Sequence, residues 1–291
     1  LPMSKLTHDR FFFDWQHVQR GLMEMTLDPD RITPEGRGTI QRNKQRWNMQ
    51  LQETGHGLRA CKMPFGVRIT REQAVKSGPW LETDRPWEKR LSGYCTVIHE
   101  DGKYRCWHRV QLTTEAAKQM FPELVAKNPN RVQSAQAYAE STDGMNWVKP
   151  DLDVFPFDGK PTNIVGVATE TSVMSDPNGP DAERYKAFYW TELPAGEGCS
   201  HGLYGAVSPD GYRWSYTDKP LFRYFHDTQN CAAWDPVREV YVAYLRDHCG
   251  GRAIGRSETT DFHDWPRHQT VLHPGPEDAA SEDYYTNCYT P

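Results

Sequence analysis

An all-β fold, a β-propeller of four-stranded antiparallel blades, is what this chain of 291 residues predicts. Three observations predict it: a corner phrase that occurs twice, a strand-turn-strand unit ahead of each corner, and little helical periodicity. The phrase Ser141-Thr142-Asp143-Gly144-Met145-Asn146-Trp147 returns as Ser208-Pro209-Asp210-Gly211-Tyr212-Arg213-Trp214, 67 residues further on. Each copy follows a short apolar run, Ala137-Tyr138-Ala139 or Tyr204-Gly205-Ala206-Val207. A strand, an Asp-Gly turn and a tryptophan make one corner of a small antiparallel sheet. A corner repeated at that interval implies a repeated sheet.

The upstream unit supplies the other strands. It reads Thr96-Val97-Ile98-His99-Glu100-Asp101-Gly102 and then Lys103–Trp107 in the first case. The second is Ser172-Val173-Met174-Ser175-Asp176-Pro177, a polar insert, then Arg184–Trp190. The third is Cys231-Ala232-Ala233-Trp234-Asp235-Pro236, a charged turn, then Val240–Leu245, with a degenerate corner at Ser257–Trp265. Asp-Pro and Asp-Gly punctuate turns, and Val, Tyr, Trp and Ala fill the flanking strands. Strand, turn, strand, loop, strand, turn, strand is the content of one propeller blade.

One helix interrupts the pattern. Thr114–Phe121 is capped by Thr113 or Thr114 and stopped by Pro122, and residues 66–78 offer a short helical turn. No Pro/Ser/Gly-rich linker divides the chain, so residues 1–291 read as a single domain. Residues 6–60 would supply most of a fourth unit, with strands at Phe11–Trp15 and Arg46–Leu51. Glu282–Pro291 reads as the opening of another unit, because Asn287-Cys288 echoes Asn230-Cys231. An unfinished ring leaves open sheet edges. Either the terminal segments close it, or the chain is the N-terminal part of a longer propeller; an unfinished ring also gives a reason to form oligomers.

Bulk properties narrow the function. A net charge of -5 and a pI near 6.1 give no basic footprint for nucleic acid. No apolar stretch is long enough for a bilayer, and Leu1–Ser4 shows no signal peptide, which favours a soluble, cytoplasmic protein. The seven cysteines include no Cys-x-x-Cys pair and read as buried free thiols rather than a zinc site. No cofactor is expected. A channel Ca²⁺ would suit such a fold, but no ligand spacing demands one. The ten tryptophans serve core packing first, and any that surround a polar cleft would stack on sugar rings.

In a propeller the innermost strands converge on a channel whose mouth binds ligands. Taking the first apolar run of each unit as its inner strand, the residues at the entrances are Arg90–Ser92, Thr169–Thr171, His226–Asn230 and Glu282–Tyr284. Spokes meeting on an axis would bring Glu170, Asp227 and Asp283 or Glu282 together. Glycoside hydrolysis needs two carboxyls facing one bond, one protonated and one ionised, and crowded buried acids split their pKa values in that way. Arg246, Arg252 and Arg256 would temper the repulsion and hold hydroxyls or a carboxylate. His226, Trp87 and Glu88 complete the candidate sugar contacts. Asp101, Asp176 and Asp235 recur at the first turn, and Asp143 and Asp210 at the corner, so turn geometry explains them.

The segments Asp84–Glu88, Asp176-Pro177-Asn178, Arg184-Tyr185-Lys186, Ser208–Gly211 with Trp214, and Asp227-Thr228-Gln229 resemble bacterial five-bladed β-propeller glycosidases, the relatives of β-fructosidases and of arabinanases and xylosidases. The resemblance covers roughly residues 80–290. It implies five blades and an acidic triad at the channel mouth: a base or nucleophile, a general acid and an orienting aspartate. The chain departs from the pattern. Trp-Met-Asn-Asp-Pro-Asn-Gly is absent, and Asp176–Gly179 echoes only its end, within a turn. Arg-Asp-Pro is replaced by His226-Asp227-Thr228, which makes Asp227 the best carry-over. Glu-Cys is missing, which leaves the general acid unassigned. Asp and Gly are adjacent at both corners, unlike the sialidase Asp-box.

The expectation is therefore a propeller glycoside hydrolase acting on a carbohydrate. Asp227, Glu170 and Asp283 or Glu282 would share the acid, base and orienting roles in an order left open. A non-catalytic carbohydrate-binding or assembly propeller is the alternative; it expects the entrance acids to point apart or to pair with arginines. A lyase or phosphorylase on the same scaffold is a third reading.

Overall fold

The structure is a computed structural model. It describes residues 78–127, 134–167, 170–192, 201–249, 251–273 and 283–289, and the strand backbone of 24–27, 53–54 and 57–62. The strands expected at 11–15 and 46–51, the turn at 66–77 and Glu282 lie outside the described residues. The chain contains two compact units. In the first, strands β1 (Glu24–Leu27), β2 (Glu53–Thr54) and β3 (Gly57–Lys62) form an antiparallel sheet in the order β1-β3-β2.

The second unit, Gly78–Pro274 with Asp283–Pro291, holds three four-stranded antiparallel sheets. Blade 1 joins β4 (Glu88–Glu100), β5 (Lys103–Leu112), β6 (Ser134–Ser141) and β9 (Ile164–Val167), with a hairpin of β7 (Leu152–Phe157) and β8 (Lys160–Thr162) inserted before its last strand. Blade 2 joins β10 (Ser172–Ser175), β11 (Tyr185–Glu192), β12 (His201–Ser208) and β13 (Ser215–Tyr216). Blade 3 joins β14 (Cys231–Asp235), β15 (Val240–His248), β16 (Arg252–Thr259) and β17 (Gln269–Leu272). In each sheet spatial order follows chain order, as a propeller blade requires.

The corner phrase works through its side chains. Asp143 Oδ1 accepts from the N–H groups of Met145 (2.8 Å) and Asn146 (2.7 Å), and Ser141 Oγ accepts from Gly144 (2.9 Å). Asp210 and Ser208 repeat these bonds with Tyr212, Arg213 and Gly211 at 2.8, 2.9 and 2.9 Å. The third corner keeps the scheme: Asp261 Oδ1 accepts from His263 N–H at 2.9 Å, and Trp265 Nε1 donates to Phe262 O as Trp147 Nε1 donates to Gly144 O. Gly144 and Gly211 turn through positive φ, +73° and +81°.

The blades are joined by aromatic layers. Between blades 1 and 2, Trp107 packs with Tyr138 and Tyr185, each with ring centroids 5.5 Å apart, and donates from Nε1 to Gly211 O at 2.7 Å. Between blades 2 and 3, Phe188 stacks on Phe262 at 5.6 Å and meets Phe222 and Trp265 edge-on. Each such ring contributes about 1.5–3 kcal/mol by burial and about 0.5–1.5 kcal/mol more by its geometry. Asp176 is not merely a turn residue. Its buried carboxylate accepts from Lys186 Nζ (2.9 Å) and from Tyr241 OH of blade 3 (2.5 Å).

The far face of blade 1 is covered differently. The helix Thr114–Met120, capped by Thr113 Oγ1, buries Ala116, Ala117 and Met120 with Phe121 against Val110, Leu112 and Ile164. A second helix, Pro122–Lys127, follows directly. Pro122 ends the first helix, as expected, and begins another, because proline is tolerated in a first turn where its missing N–H is not needed.

The corner glycines give a direct test. A Cβ on Gly211 would lie 2.7 Å from Trp107 Cζ2, whereas on Gly144 it would meet Tyr104 at an ordinary 3.5 Å. Gly144→Ala should cost about 1 kcal/mol, the strain of positive φ. Gly211→Ala should cost about 2 kcal/mol or more, because the joint between blades must also shift. Urea denaturation of both variants measures the difference; equal losses would contradict the packing.

Candidate functional site

The site begins with the turn ahead of β14. His226, Thr228 and Asn230 are buried, whereas Asp227 between the first two is exposed. His226 Nδ1 lies 2.7 Å from Arg246 O; a carbonyl only accepts, so this nitrogen carries the proton. Asn230 Oδ1 accepts from Arg246 N–H at 2.8 Å, and Asn230 Nδ2 donates to His226 O (3.0 Å) and Thr228 O (2.9 Å). The turn is thus fastened to β15 on both sides of Asp227 and presents that carboxylate alone. Among the described residues no cation lies within ion-pair distance of Asp227, although Arg246 feels its charge.

Neighbouring inner strands meet here. Gln229 Nε2 donates to Thr171 O of blade 2 (2.9 Å) and to Cys95 O of blade 1 (3.2 Å). Val173 N–H donates to Thr96 Oγ1 at 3.2 Å, and Ser172 Oγ donates to Asn230 O. The first strand of each blade therefore does line up beside the next. The loops bearing Glu170 and Asp227 are tied by one side chain. Glu170 has a positive φ of +45° and is ion-paired with Arg109 of β5.

Segment 283–289 lies along blade 3 without forming a strand. Asp283 accepts from Arg252 N–H (2.7 Å) and from its guanidinium (2.9 Å), and these bonds hold its carboxyl below the usual range. Cys231 Sγ donates to Asn287 Oδ1 at 3.1 Å, and the rings of Tyr244 and Tyr289 lie 5.1 Å apart. The guanidinium groups of Arg246 and Arg252 both lie close to one ring, that of Tyr285, at 5.0 and 4.5 Å from its centroid. Burial lowers the Arg246 pKa, and the neighbouring Arg252 lowers it further.

Glu170 and Asp227 thus stand just before β10 and β14, Arg246 lies on β15 beside Asn230, and Arg252 holds Asp283 at the start of β16. The other sequence-derived candidates lie elsewhere or act differently. Trp87 is buried, with Nε1 donating to Asn163 Oδ1 at 3.1 Å, and Glu88 is buried against Lys149 Nζ at 2.8 Å. Both are interior residues of blade 1 rather than a cleft rim: a large aromatic and a charge with a buried counter-ion find their partners inside. Arg256 lies on β16, not in a loop, and pairs with Glu258 in a surface groove of about 330 Å³ that also holds Arg238 and Arg267. Arg246 and Arg252 are likewise strand residues. His226 holds backbone rather than facing a ligand. Gln229 and Asn230 belong to the entrance segment His226–Asn230 but were given no role in it, and Tyr285 escaped the site reading; the Asn-Cys echo at 230 and 287 marked the two segments. Among the described residues no group of three or more His, Cys, Asp or Glu could hold a metal ion, and no helix is long and apolar enough to cross a membrane. Cys95, Cys106, Cys231, Cys249 and Cys288 are free thiols.

No family model matches the chain. No curated protein matches it either. Solved structures similar to part of it include a family 117 glycoside hydrolase from Zobellia galactanivorans (12% identity, TM-score 0.40, 64% of this chain and 57% of that one). Others are a xylan β-1,4-xylosidase from Bacillus halodurans (7%, 0.39, 64% and 32%) and an N-acetylgalactosamine deacetylase from F. plautii in complex with blood group B trisaccharide (11%, 0.36, 67% and 60%). The chain spans less than two thirds of the length of each. Likenesses of this size assign no activity; the sheets and bonds described above carry the reading.

Acid should loosen the anchored turn. Burial holds the His226 pKa down to about 3, and burial with the nearby Lys149 charge holds His108 down to about 4. The unfolded chain takes up these protons near pH 6.5, the native protein only at much lower pH, so stability falls as pH drops below about 6.5. At pH 5 each histidine should cost about 2 kcal/mol. Urea unfolding at pH 7.5 and pH 5.0 measures the sum, about 4 kcal/mol; equal stability at the two pH values would contradict the burial of neutral imidazoles.

Proposed function

We propose that the chain is a carbohydrate-active propeller protein that cleaves a glycosidic bond at the mouth formed by its inner strands. The observation that carries this reading is Asp227, an exposed carboxylate on a turn whose neighbours are buried and bonded. Fixing a reactive group on a rigid support lowers the cost of reaching the transition state. Glu170 and Asp283, each fastened to an arginine, are fixed acceptors and negative charges. They suit the sugar hydroxyls and the positive charge that develops on an oxocarbenium-like transition state. Tyr285, 55% exposed, offers a ring face for the apolar side of a pyranose. Asp227 takes one of the two reactive roles that the cleavage needs, and the second carboxyl is one of Glu170, Asp283 and Glu282. Five blades, a carbohydrate substrate and a possible share for Glu282 belong to the same proposal.

The second reading is a carbohydrate-binding propeller without turnover. The arginine partners of Glu170 and Asp283 favour it, because a carboxylate fixed beside a guanidinium makes a poor proton donor.

A panel of aryl glycosides and oligosaccharides separates the two. Asp227→Asn should lower kcat by about 10²-fold or more while leaving the Kd for the substrate within a few-fold. Turnover unchanged by Asp227→Asn would remove that residue from the site. Binding by the wild-type protein with no turnover of any glycan would favour the second reading.

A further inference from the structure

Arg246 is held as if for a ligand that carries its own negative charge. Its side chain is 1% exposed, and among the described residues no carboxylate lies within ion-pair distance. Nη2 donates to Tyr285 O, while Nε has no acceptor. Nε–H and the adjacent Nη2–H lie along one edge of the planar guanidinium, the edge that a carboxylate takes with two parallel bonds. A single carbonyl oxygen fills half of that edge. Arg252, near the same Tyr285 ring, adds repulsion, and Asp227 and Asp283 act on Arg246 only from beyond ion-pair distance.

A buried cation without a counter-ion is costly, and a bidentate anion relieves that cost. Tyr285, whose ring centroid is 5.0 Å from the Arg246 guanidinium, is itself 55% exposed. The backbone beneath is rigid: Arg246 N–H and C=O are both taken, by Asn230 and His226. The edge is thus carried on a fixed strand backbone.

We propose that this mouth recognises a carboxylate-bearing sugar, a uronic acid residue, with the carboxylate on the Nε and Nη2 edge of Arg246 in place of Tyr285 O. The proposal rests on the carbohydrate reading of the same mouth and names its substrate class. Arg252, paired with Asp283, adds a second and partly offset positive charge, and the Tyr285 ring stays beside the pyranose.

Calorimetric titration of the whole chain tests this with trigalacturonate and triglucuronate against their neutral counterparts, galactotriose and maltotriose. At least one uronate should bind ten-fold or more tightly than its neutral counterpart. Arg246→Gln should abolish that preference, bringing the affinity for the uronate down to that for its neutral counterpart. Should Arg246→Gln lose its cooperative melt, Arg252→Gln serves, with an expected three- to ten-fold loss confined to the uronate. Neutral sugars bound as tightly as uronates would overturn the anionic assignment and leave the carbohydrate reading standing. A uronate preference unchanged in both variants would place the charge recognition elsewhere and overturn the proposal. No response to any of the four sugars would count against both readings.

Discussion

The structure depends on a few polar side chains that tie the first strand of each blade to the next. Sheets that meet only through apolar layers can slide, since burial has no direction. Hydrogen bonds to backbone carbonyls fix register, because an amide that misses its acceptor leaves a buried polar group unsatisfied. Gln229 supplies this constraint across three blades at once, reaching Thr171 O and Cys95 O from the turn before β14. Asn230 and His226 then fasten that same turn to Arg246. Everything at the mouth inherits its position from these bonds: Asp227 because it lies between anchored residues, Arg246 because its own backbone is the anchor.

The aromatic layers do the complementary work. Trp107 fills the joint of blades 1 and 2 and donates to a corner carbonyl; Phe188, Phe222, Phe262 and Trp265 fill the joint of blades 2 and 3. The corners are therefore more than turns. Gly211 must be glycine both for its backbone and because Trp107 occupies the space of a side chain. Asp176 has a similar double duty, since its carboxylate closes a turn and meets Lys186 and Tyr241 inside. Removing one member of that buried group would strand the others.

Much of this architecture was legible in the sequence. The Asp-Gly corners fix the third turn of blades 1 and 2, and the recurring strand-turn-strand unit gives the order of strands. The degenerate corner at Asp261 keeps its bonds without glycine, so the aspartate and the tryptophan carry the pattern. The site was less legible. Asp227 could be picked out by its place before an inner strand. Arg246 was among the candidates too, but Tyr285 and the bonds of Gln229 to Thr171 O and Cys95 O were not, because these groups come together only when strands far apart in the chain converge. Trp87 and Glu88 misled for a related reason: an aromatic beside an acid reads as a sugar contact until the buried Lys149 and Asn163 are seen next to them. The hairpin β7–β8 did carry a signal, the Asp158-Gly159 turn with positive φ at both residues, which a reading built on the repeat passed over.

A crystal structure of the protein soaked with an oligosaccharide that it binds tests the central claim most directly. The account expects a sugar ring against Tyr285, with oxygens within hydrogen-bonding distance of Asp227 and Arg246. A sugar seated in the groove of Arg238, Arg256 and Arg267, or on any other outer surface of the blades, would contradict it.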